Sequence, residues 1–295
     1  MEVWRLSARL IMKPLTFHLG LTGFPLEHSL SPRIHTAALE ACGLDGRYSL
    51  FSIHLSHQHS LSDLLARVRC GELHGLNVTI PHKQAVIPFL DELTPTARSI
   101  GAVNTIYLRD DRLVGDNTDA QGFLDDLRRF LPAEIRRHGG LHALVLGAGG
   151  SARAVVYALL NNGWSVTVAA RRLEQAEELA TSFTQYKLQI TTLEISNIDV
   201  SKIALIVNTT PVGMSPNVDQ SPWPQNVDFP PYAAIYDLVY NPRETRLVRE
   251  AWARGLPATT GLGMLIEQAA LAFEIWTGSC PPRDALLPAV AQPEP

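Results

Sequence analysis

The sequence predicts an α/β protein built as two domains. Three observations carry this. A chain of 295 residues is long enough for roughly two domains of about 100–200 residues each. From Phe17 to Ile80, short apolar runs alternate with amphipathic stretches, the pattern of strands and helices in one layered unit. After a break at Pro132 the same alternation restarts at His142.

The elements follow in order. Phe17–Gly23 reads as a buried strand, closed by Gly23 and Pro25. Ser31-Pro32 opens a helix, with Ser31 as N-cap and Pro32 at the first helical position. Its apolar face is Ile34, Ala37, Ala38 and Ala41, and Gly43 stops it. Residues 48–53 form a strand, 61–68 a helix and 76–80 a strand that Pro81 ends. Residues 105–108 and 113–114 read as a hairpin across the turn at 109–112. Residues 119–131 are helical, with Phe123, Leu124, Leu127 and Leu131 on one face. In the second half, residues 142–146, 165–169, 203–207 and 234–238 read as strands. Residues 152–161, 173–183, 243–254 and 261–275 read as helices, the last ending at Gly278. The proline-rich stretch 216–231 is a loop whose length suggests a surface excursion near a site. Residues from Pro281 onward read as a tail.

Composition narrows the functional classes. Hydrophobic residues make up 46% of the chain and charged residues 18%, so a sizeable core is expected and global disorder is not. The net charge of −4 and the absence of a Lys/Arg run exclude nucleic acid and anionic membrane as expected partners. Cys42, Cys70 and Cys280 are widely spaced, with no CxxC pair or zinc-ligand pattern, which suits reduced thiols in a cytoplasmic protein. The ten histidines are scattered, so no metal site is expected. No apolar run reaches the length of a membrane span. Residues 1–11 lack a signal-peptide core and read as an extension ahead of a second plausible start at Met12.

The turn Gly147-Ala148-Gly149-Gly150-Ser151-Ala152 has the form G-x-G-x-x-A between a strand and a helix. Small residues there let the backbone approach a pyrophosphate at a helix N-terminus, where free N–H groups and the dipole favour anions. This predicts a Rossmann-type dinucleotide-binding domain. The following strand ends in Ala169-Ala170-Arg171-Arg172. It offers no carboxylate for a ribose 2′-hydroxyl but two guanidiniums for a 2′-phosphate, so the expected cofactor is NADP. Two solvated arginines at a helix start are the plainer alternative, against the helix dipole. The loop 208–214, with Thr209 and Met214, follows a buried strand and faces either the cofactor or the core.

Upstream lies a polar constellation. Lys83 closes the stretch that holds Asn77 and Thr79, and Asp119 closes Gly115-Asp116-Asn117-Thr118. Between them lie Asn104 and Thr105. A lysine can move a proton, a carboxylate can hold the lysine and a hydroxyl, and amides and hydroxyls can read a polyol. Taken singly, Lys83 is an ordinary surface lysine and Asp119 an ordinary helix N-cap. Ser29 and Ser31 fit helix capping and polyol binding equally well.

With these motifs in order, the chain resembles the shikimate dehydrogenase family from about Gly20 to Gly278. The matching segments are GFPLEHSLSP, GLNVTIPHK, IGAVNT, GDNTDAQG, LGAGGSARA, NTTPVGM, DLVYNP and GLGMLIEQ. The resemblance implies NADPH-dependent reduction of 3-dehydroshikimate to shikimate, on the route to chorismate and the aromatic amino acids. It implies Lys83 and Asp119 as the catalytic pair, with Lys83 the general acid or base. Ser29, Ser31, Asn77, Thr79, Asn104, Asp119, Tyr240 and Gln268 would contact the substrate. Gly147 to Ala152, Arg171, Arg172, Thr209, Met214 and Gly261 would hold the cofactor. It also implies a discontinuous α/β substrate domain, residues 1–118 completed by 261–295, around a dinucleotide domain at 119–260. A homodimer is allowed for, the oligomeric state being open.

Two departures stand out. The family often has Asn-Arg-Thr where this chain has Ala170-Arg171-Arg172, and a basic residue where it has Gln175, so Arg172 is expected to substitute in the phosphate clamp. The usual His-Asn pair is His35-Thr36, read as packing variation. The alternatives are an NAD-using quinate/shikimate dehydrogenase and a non-catalytic dinucleotide-binding regulator on the same fold. The missing carboxylate near Ala170 argues against the first, and retention of both Lys83 and Asp119 against the second.

Overall fold

A computed structural model describes residues 16–133, 135, 141–186, 188–192 and 199–291. The extension at 1–11 falls outside these.

The predicted α/β alternation resolves into two six-stranded sheets. In the first, the apolar run β1 (Phe17–Gly23) is central and pairs in parallel with β2 (Gly46–Ser52) on one side and β3 (Gly75–Val78) on the other. The hairpin β5 (Thr105–Arg109) and β6 (Arg112–Asp116) adds antiparallel to β3, and the short β4 (Glu92–Leu93) closes the edge beside β6. The hairpin turns on Asp110 and Asp111, whose φ values of 49° and 59° suit the short polar side chains that tolerate this region.

The second sheet is wholly parallel, in the order β12-β11-β10-β7-β8-β9. Its strands are β7 (His142–Leu146), β8 (Ser165–Ala170), β9 (Leu188–Thr192), β10 (Leu205–Asn208), β11 (Ala234–Asp237) and β12 (Ala258–Thr260). The chain runs outward from β7 to β9, then returns to β10 on the other side of β7. That reversal leaves a crevice beyond the C-terminal ends of β7 and β10, where ligands of doubly wound sheets bind. The glycine turn after β7 and the loop after β10 therefore meet at one place.

Helices cover both faces of each sheet, as strands with apolar side chains on both faces require. On the first sheet, α1 (Ser31–Ala41), α9 (Leu262–Thr277) and α10 (Arg283–Ala291) bury Ile34, Phe273, Trp276 and Leu286 around Leu19. On its other face, α2 (Gln58–Arg69) buries Leu61, Leu65 and Val68 on Leu76 and Ile106. The short α3 (His82–Ala85) and α4 (Pro95–Ile100) lie in the connections. On the second sheet, α5 (Asp119–Phe130), α6 (Gly150–Asn161) and α7 (Leu173–Thr181) share one core with Val145 and Val168. On the opposite face, α8 (Arg246–Trp252) packs Leu247 and Val248 on Ile206 and Ile235.

Several predicted details are corrected. Leu30, not Ser31, is the N-cap of α1, and no side chain caps that end; Ser31 is the first helical residue and its amide donates to Ser29 Oγ at 3.3 Å. The buried face of α1 is Ser31, Ile34, His35, Ala38 and Leu39, while Ala41 is exposed. His35 takes that face because its ring stacks on Tyr48, with centroids 4.3 Å apart. The predicted tail is α10, which folds back because Leu286 and Val290 find a cover on α1 and α9. The helix predicted at 243–254 is only α8, because Thr245 caps it by accepting from the Val248 amide. Strands β4, β9 and β12 and helices α3 and α4 were not predicted.

Candidate functional site

Lys83 follows the interior strand β3 and Asp119 follows β6, and the two meet beyond the C-terminal ends of these strands. Lys83 sits in α3, directly after β3, where the Val103 amide donates to its carbonyl at 2.7 Å. Asp119 is the first residue of α5. The plain alternative for Asp119, a helix N-cap, is filled by its neighbours: Thr118 occupies the cap position, and Asn117 Oδ1 accepts from the Asp119 and Ala120 amides at 3.1 and 3.3 Å. The Asp119 carboxylate is thereby left for other partners. Lys83 Nζ donates to its Oδ2 at 2.6 Å, and Asn104 Nδ2 donates to its Oδ1 at 2.8 Å. Both side chains of the ion pair are nearly buried, at 11% and 6% exposure.

A relay of amides and hydroxyls fixes this pair. Asn104 Oδ1 accepts from the Thr118 amide at 2.8 Å and from Thr105 Oγ1 at 2.9 Å, and its Nδ2 also donates to Gln268 Oε1 at 3.3 Å. Asn77 Nδ2 donates to the Asn104 carbonyl at 3.1 Å, and Asn77 Oδ1 accepts from the Tyr48 hydroxyl at 2.8 Å. Burial raises the Tyr48 phenol well above its ordinary pKa, so it stays a neutral donor. Burial likewise pushes His35, stacked beneath it, down to about 3, so the ring is uncharged.

These groups face a cavity of about 300 Å³ between the two sheets. Ser29, Ser31, Asn77, Thr79, Asn104, Tyr240 and Gln268 all line it, with Lys83 and Asp119. On its other wall stand Ser151, Thr209, Met214 and Gly261. The two halves touch: Lys83 Nζ donates to Ser151 Oγ at 3.3 Å, and a Cβ on Gly150 would lie 3.0 Å from that of Lys83. The cavity is smaller than the predicted set. Gly147, Ala148, Gly149, Gly150, Ala152, Arg171 and Arg172 lie outside its lining, along the crevice at the ends of β7 and β8.

The crevice fits a dinucleotide phosphate. Gly147 has a φ of +108°, and a Cβ there would meet Thr209 Oγ1 at 2.7 Å, so only glycine permits the turn beside the β10 loop. A Cβ on Gly149 would meet open space. Helix α6 starts there with no side-chain cap and no acidic residue in its first turn, leaving amides free for an anion. Arg171 and Arg172 are exposed just past β8. Among the described residues no group of three or more His, Cys, Asp or Glu could hold a metal ion, and no helix is long and apolar enough to cross a membrane.

Sequence reasoning gave no site role to Tyr48, Asn117 or Asp237, and read Asn208 only as the start of the loop after β10. The last two end neighbouring strands and are fully buried. A lone polar residue closing each of two apolar strands is a readable signal.

Comparison with known proteins agrees with this geometry. The shikimate dehydrogenase substrate binding domain matches residues 21–106, the shikimate/quinate 5-dehydrogenase model residues 133–215, and the shikimate 5′-dehydrogenase C-terminal domain residues 261–290. Shikimate dehydrogenase (NADP(+)) of Salinibacter ruber is 45% identical over 280 residues, covering 92% of this chain and 95% of that one. The protein of the same name from Geobacillus kaustophilus is 42% identical, covering 89% and 93%. Shikimate 5-dehydrogenase of Thermus thermophilus, solved with NADP(H) and shikimate, superposes with a TM-score of 0.81 at 41% identity, covering 93% of this chain and 98% of that one. With such identity along nearly its whole length, the chain belongs to the shikimate dehydrogenase family.

Proposed function

We propose that this protein is an NADP-dependent shikimate dehydrogenase that reversibly reduces 3-dehydroshikimate to shikimate. The observation that carries the reading is the Lys83–Asp119 pair, 2.6 Å apart, at the seam where the polar cavity meets the glycine turn. Residues 1–118 with 261–295 form the substrate side in this reading, and residues 119–260 the cofactor side. The enzyme works in the cytoplasm.

Bound NADPH supplies the hydride. As the ketone carbon is reduced, its oxygen gathers negative charge, and Lys83 Nζ gives it a proton. Asp119 keeps the ammonium aimed and stabilises it, so its contribution is both positional and electrostatic. Asn104 in turn holds Asp119, leaving lone pairs of the carboxylate for a ring hydroxyl. Asn77, Thr79, Tyr240 and Gln268 read the remaining oxygens, and the hydroxyls of Ser29 and Ser31 receive the substrate carboxylate. Lys83 is the only Lys or Arg among the residues lining the cavity. A site that binds a carboxylate through hydroxyls keeps its one ammonium for the reacting oxygen. Arg171 and Arg172 bind the 2′-phosphate.

The test is nicotinamide absorbance at neutral pH with shikimate and NADP⁺, then with NAD⁺, then with quinate. Reduction is expected with the first pair above the others. No reduction with any pair sinks the enzyme reading, and preference for NAD⁺ removes the arginines from cofactor choice.

A further inference from the structure

Asp237 plays no part in the chemistry described above, yet it ties together two loops of the cofactor-side wall. It is the last residue of β11, fully buried, and lies in register with Asn208, the last residue of β10. Its Oδ1 accepts from Asn208 Nδ2 at 2.8 Å and from the Val239 amide at 3.0 Å. Its Oδ2 accepts from Thr245 Oγ1 at 2.7 Å. Among the described residues it forms no ion pair, so three neutral donors satisfy a buried carboxylate.

Each donor leads to a different segment. Asn208 Oδ1 accepts from the Thr210 amide at 3.0 Å and from Thr210 Oγ1 at 2.7 Å, which folds the loop after β10 back onto its strand. Val239 lies in the loop that carries Tyr240 and Asn241 into the cavity. The two loops are then tied together by the Ser215 amide, which donates to the Asn241 carbonyl at 3.0 Å. Thr245 caps α8 on the far side of the sheet. Thr210, Met214, Val239 and Tyr240 all line the cavity, while Asp237 and Asn208 do not.

We propose that Asp237 is a positioning residue for the cofactor, acting through Asn208 on the loop 209–215 and through the Val239 amide on the loop 238–241. A carboxylate suits the position because one acid can accept from all three donors, and accepted bonds to a charged oxygen are stronger than neutral ones. Burial pushes the carboxyl up to about 6, while the bonds from Thr245, Val239 and Asn208 pull it back down and favour the charged form. The inference rests on the proposed NADP-dependent function for its ligand, though the hydrogen-bonded wall itself does not.

The test compares Asp237→Ala, Asp237→Asn, Asn208→Ala and Thr245→Val in the full chain. NADP⁺ and shikimate dissociation constants are measured separately by fluorescence titration, and amide exchange of Thr210 and Val239 is measured without ligand. Asp237→Ala and Asn208→Ala are expected to weaken NADP⁺ binding about tenfold or more, as the loss of a hydrogen bond to a charged group implies. Shikimate binding should stay near wild type in Asn208→Ala, which leaves the Val239 bond to Asp237 and so the Tyr240 loop in place, and exchange at Thr210 should quicken in both variants. Asp237→Asn should recover most of the affinity, since its carbonyl can still accept from Asn208 and Val239. Thr245→Val cuts only the α8 branch and should leave NADP⁺ affinity unchanged. If Asp237→Ala does not fold, Asn208→Ala carries the same test. Unchanged NADP⁺ affinity in Asn208→Ala, or an equal loss for shikimate, overturns the proposal. Wild-type protein that binds NADP⁺ but does not reduce it with shikimate would instead remove the proposed reaction and leave the Asp237 result standing.

Discussion

Lys83→Ala is the sharpest perturbation of the site. Lys83 Nζ lies 2.6 Å from Asp119 Oδ2 and 3.3 Å from Ser151 Oγ, and no other Lys or Arg lines the cavity. Removal of the ammonium should lower turnover by about 10²–10⁴-fold, the span of a general acid–base group. At 1.36 kcal/mol per factor of ten, that is about 3–5 kcal/mol of lost transition-state stabilisation. The fold should suffer less. Asp119 keeps the Asn104 amide on Oδ1 and lines the cavity, where solvent can reach it, so the penalty should stay below the about 3–5 kcal/mol of breaking a fully buried pair. The assay is NADPH oxidation with 3-dehydroshikimate, with shikimate affinity measured apart by titration and unfolding by urea. Lys83→Arg adds a second reading. It keeps the positive charge but does not give up a proton, so it should restore substrate affinity without turnover. Unchanged turnover in Lys83→Ala, or full activity in Lys83→Arg, refutes proton delivery by Lys83.

Three further outcomes are expected. Arg171→Ala or Arg172→Ala should weaken NADP⁺ more than NAD⁺ in parallel titrations, because only the former carries the phosphate the guanidiniums would fork; equal losses would take them out of the clamp. Gly75→Ala should cost about 1–3 kcal/mol in urea unfolding, since the new Cβ would lie 2.3 Å from Trp276 Cδ2, and Trp276 is fixed by its Nε1 bond to the Ile106 carbonyl at 3.1 Å. Asp237 should make stability fall as pH rises: its folded carboxyl titrates near 6 against 3.8 when unfolded, so its contribution is whole below about pH 4 and lost through about pH 6. The difference amounts to about 3 kcal/mol, and Asp237→Asn should flatten that part of the stability–pH profile.

What was legible in the sequence was local. The strand at Phe17–Gly23 and the strand–glycine–helix unit at His142 were readable because apolar runs and small residues act within a few positions of themselves. The gathering of Lys83, Asn104 and Asp119 was readable because each polar residue ends an apolar stretch, so strand ends place them together. What escaped depends on partners far along the chain. Helix α10 carries Pro288 and only two buried residues, Leu286 and Val290, so its pattern is too thin to be seen without α1 beneath it. Asn117 takes the Asp119 and Ala120 amides, and no propensity distinguishes which of three successive polar residues will cap. The Arg171 and Arg172 expectation remained a matter of residue type, since both side chains are exposed and nothing in the fold confines them.

The distance between Asp119 and Gln268 shows why the site needs the chain to return. Asp119 opens α5 and Gln268 lies in α9, and these helices pack backbone to backbone. A Cβ on Gly122 would fall 2.7 Å from the Gln268 amide nitrogen, and one on Gly263 would fall 2.0 Å from Asp126 Oδ1. Gly122 thus sets the separation of the two backbones, and Gly263 leaves room for the Asp126 carboxylate that the Tyr236 hydroxyl holds. The consequence reaches the reacting groups through one side chain: Asn104 Nδ2 bonds both Asp119 Oδ1 and Gln268 Oε1. Helix α9 also buries Ile266, Phe273 and Trp276 in the core of the first sheet, while α5 buries Phe123 and Leu127 in the core of the second. The α5–α9 contact is therefore where the two sheets are joined, and Asp119 sits at the end of that joint. A carboxylate so placed keeps its geometry to Lys83 only while the two sheets keep theirs. The alignment of the proton donor and the setting of the cleft are consequences of the same helix pair.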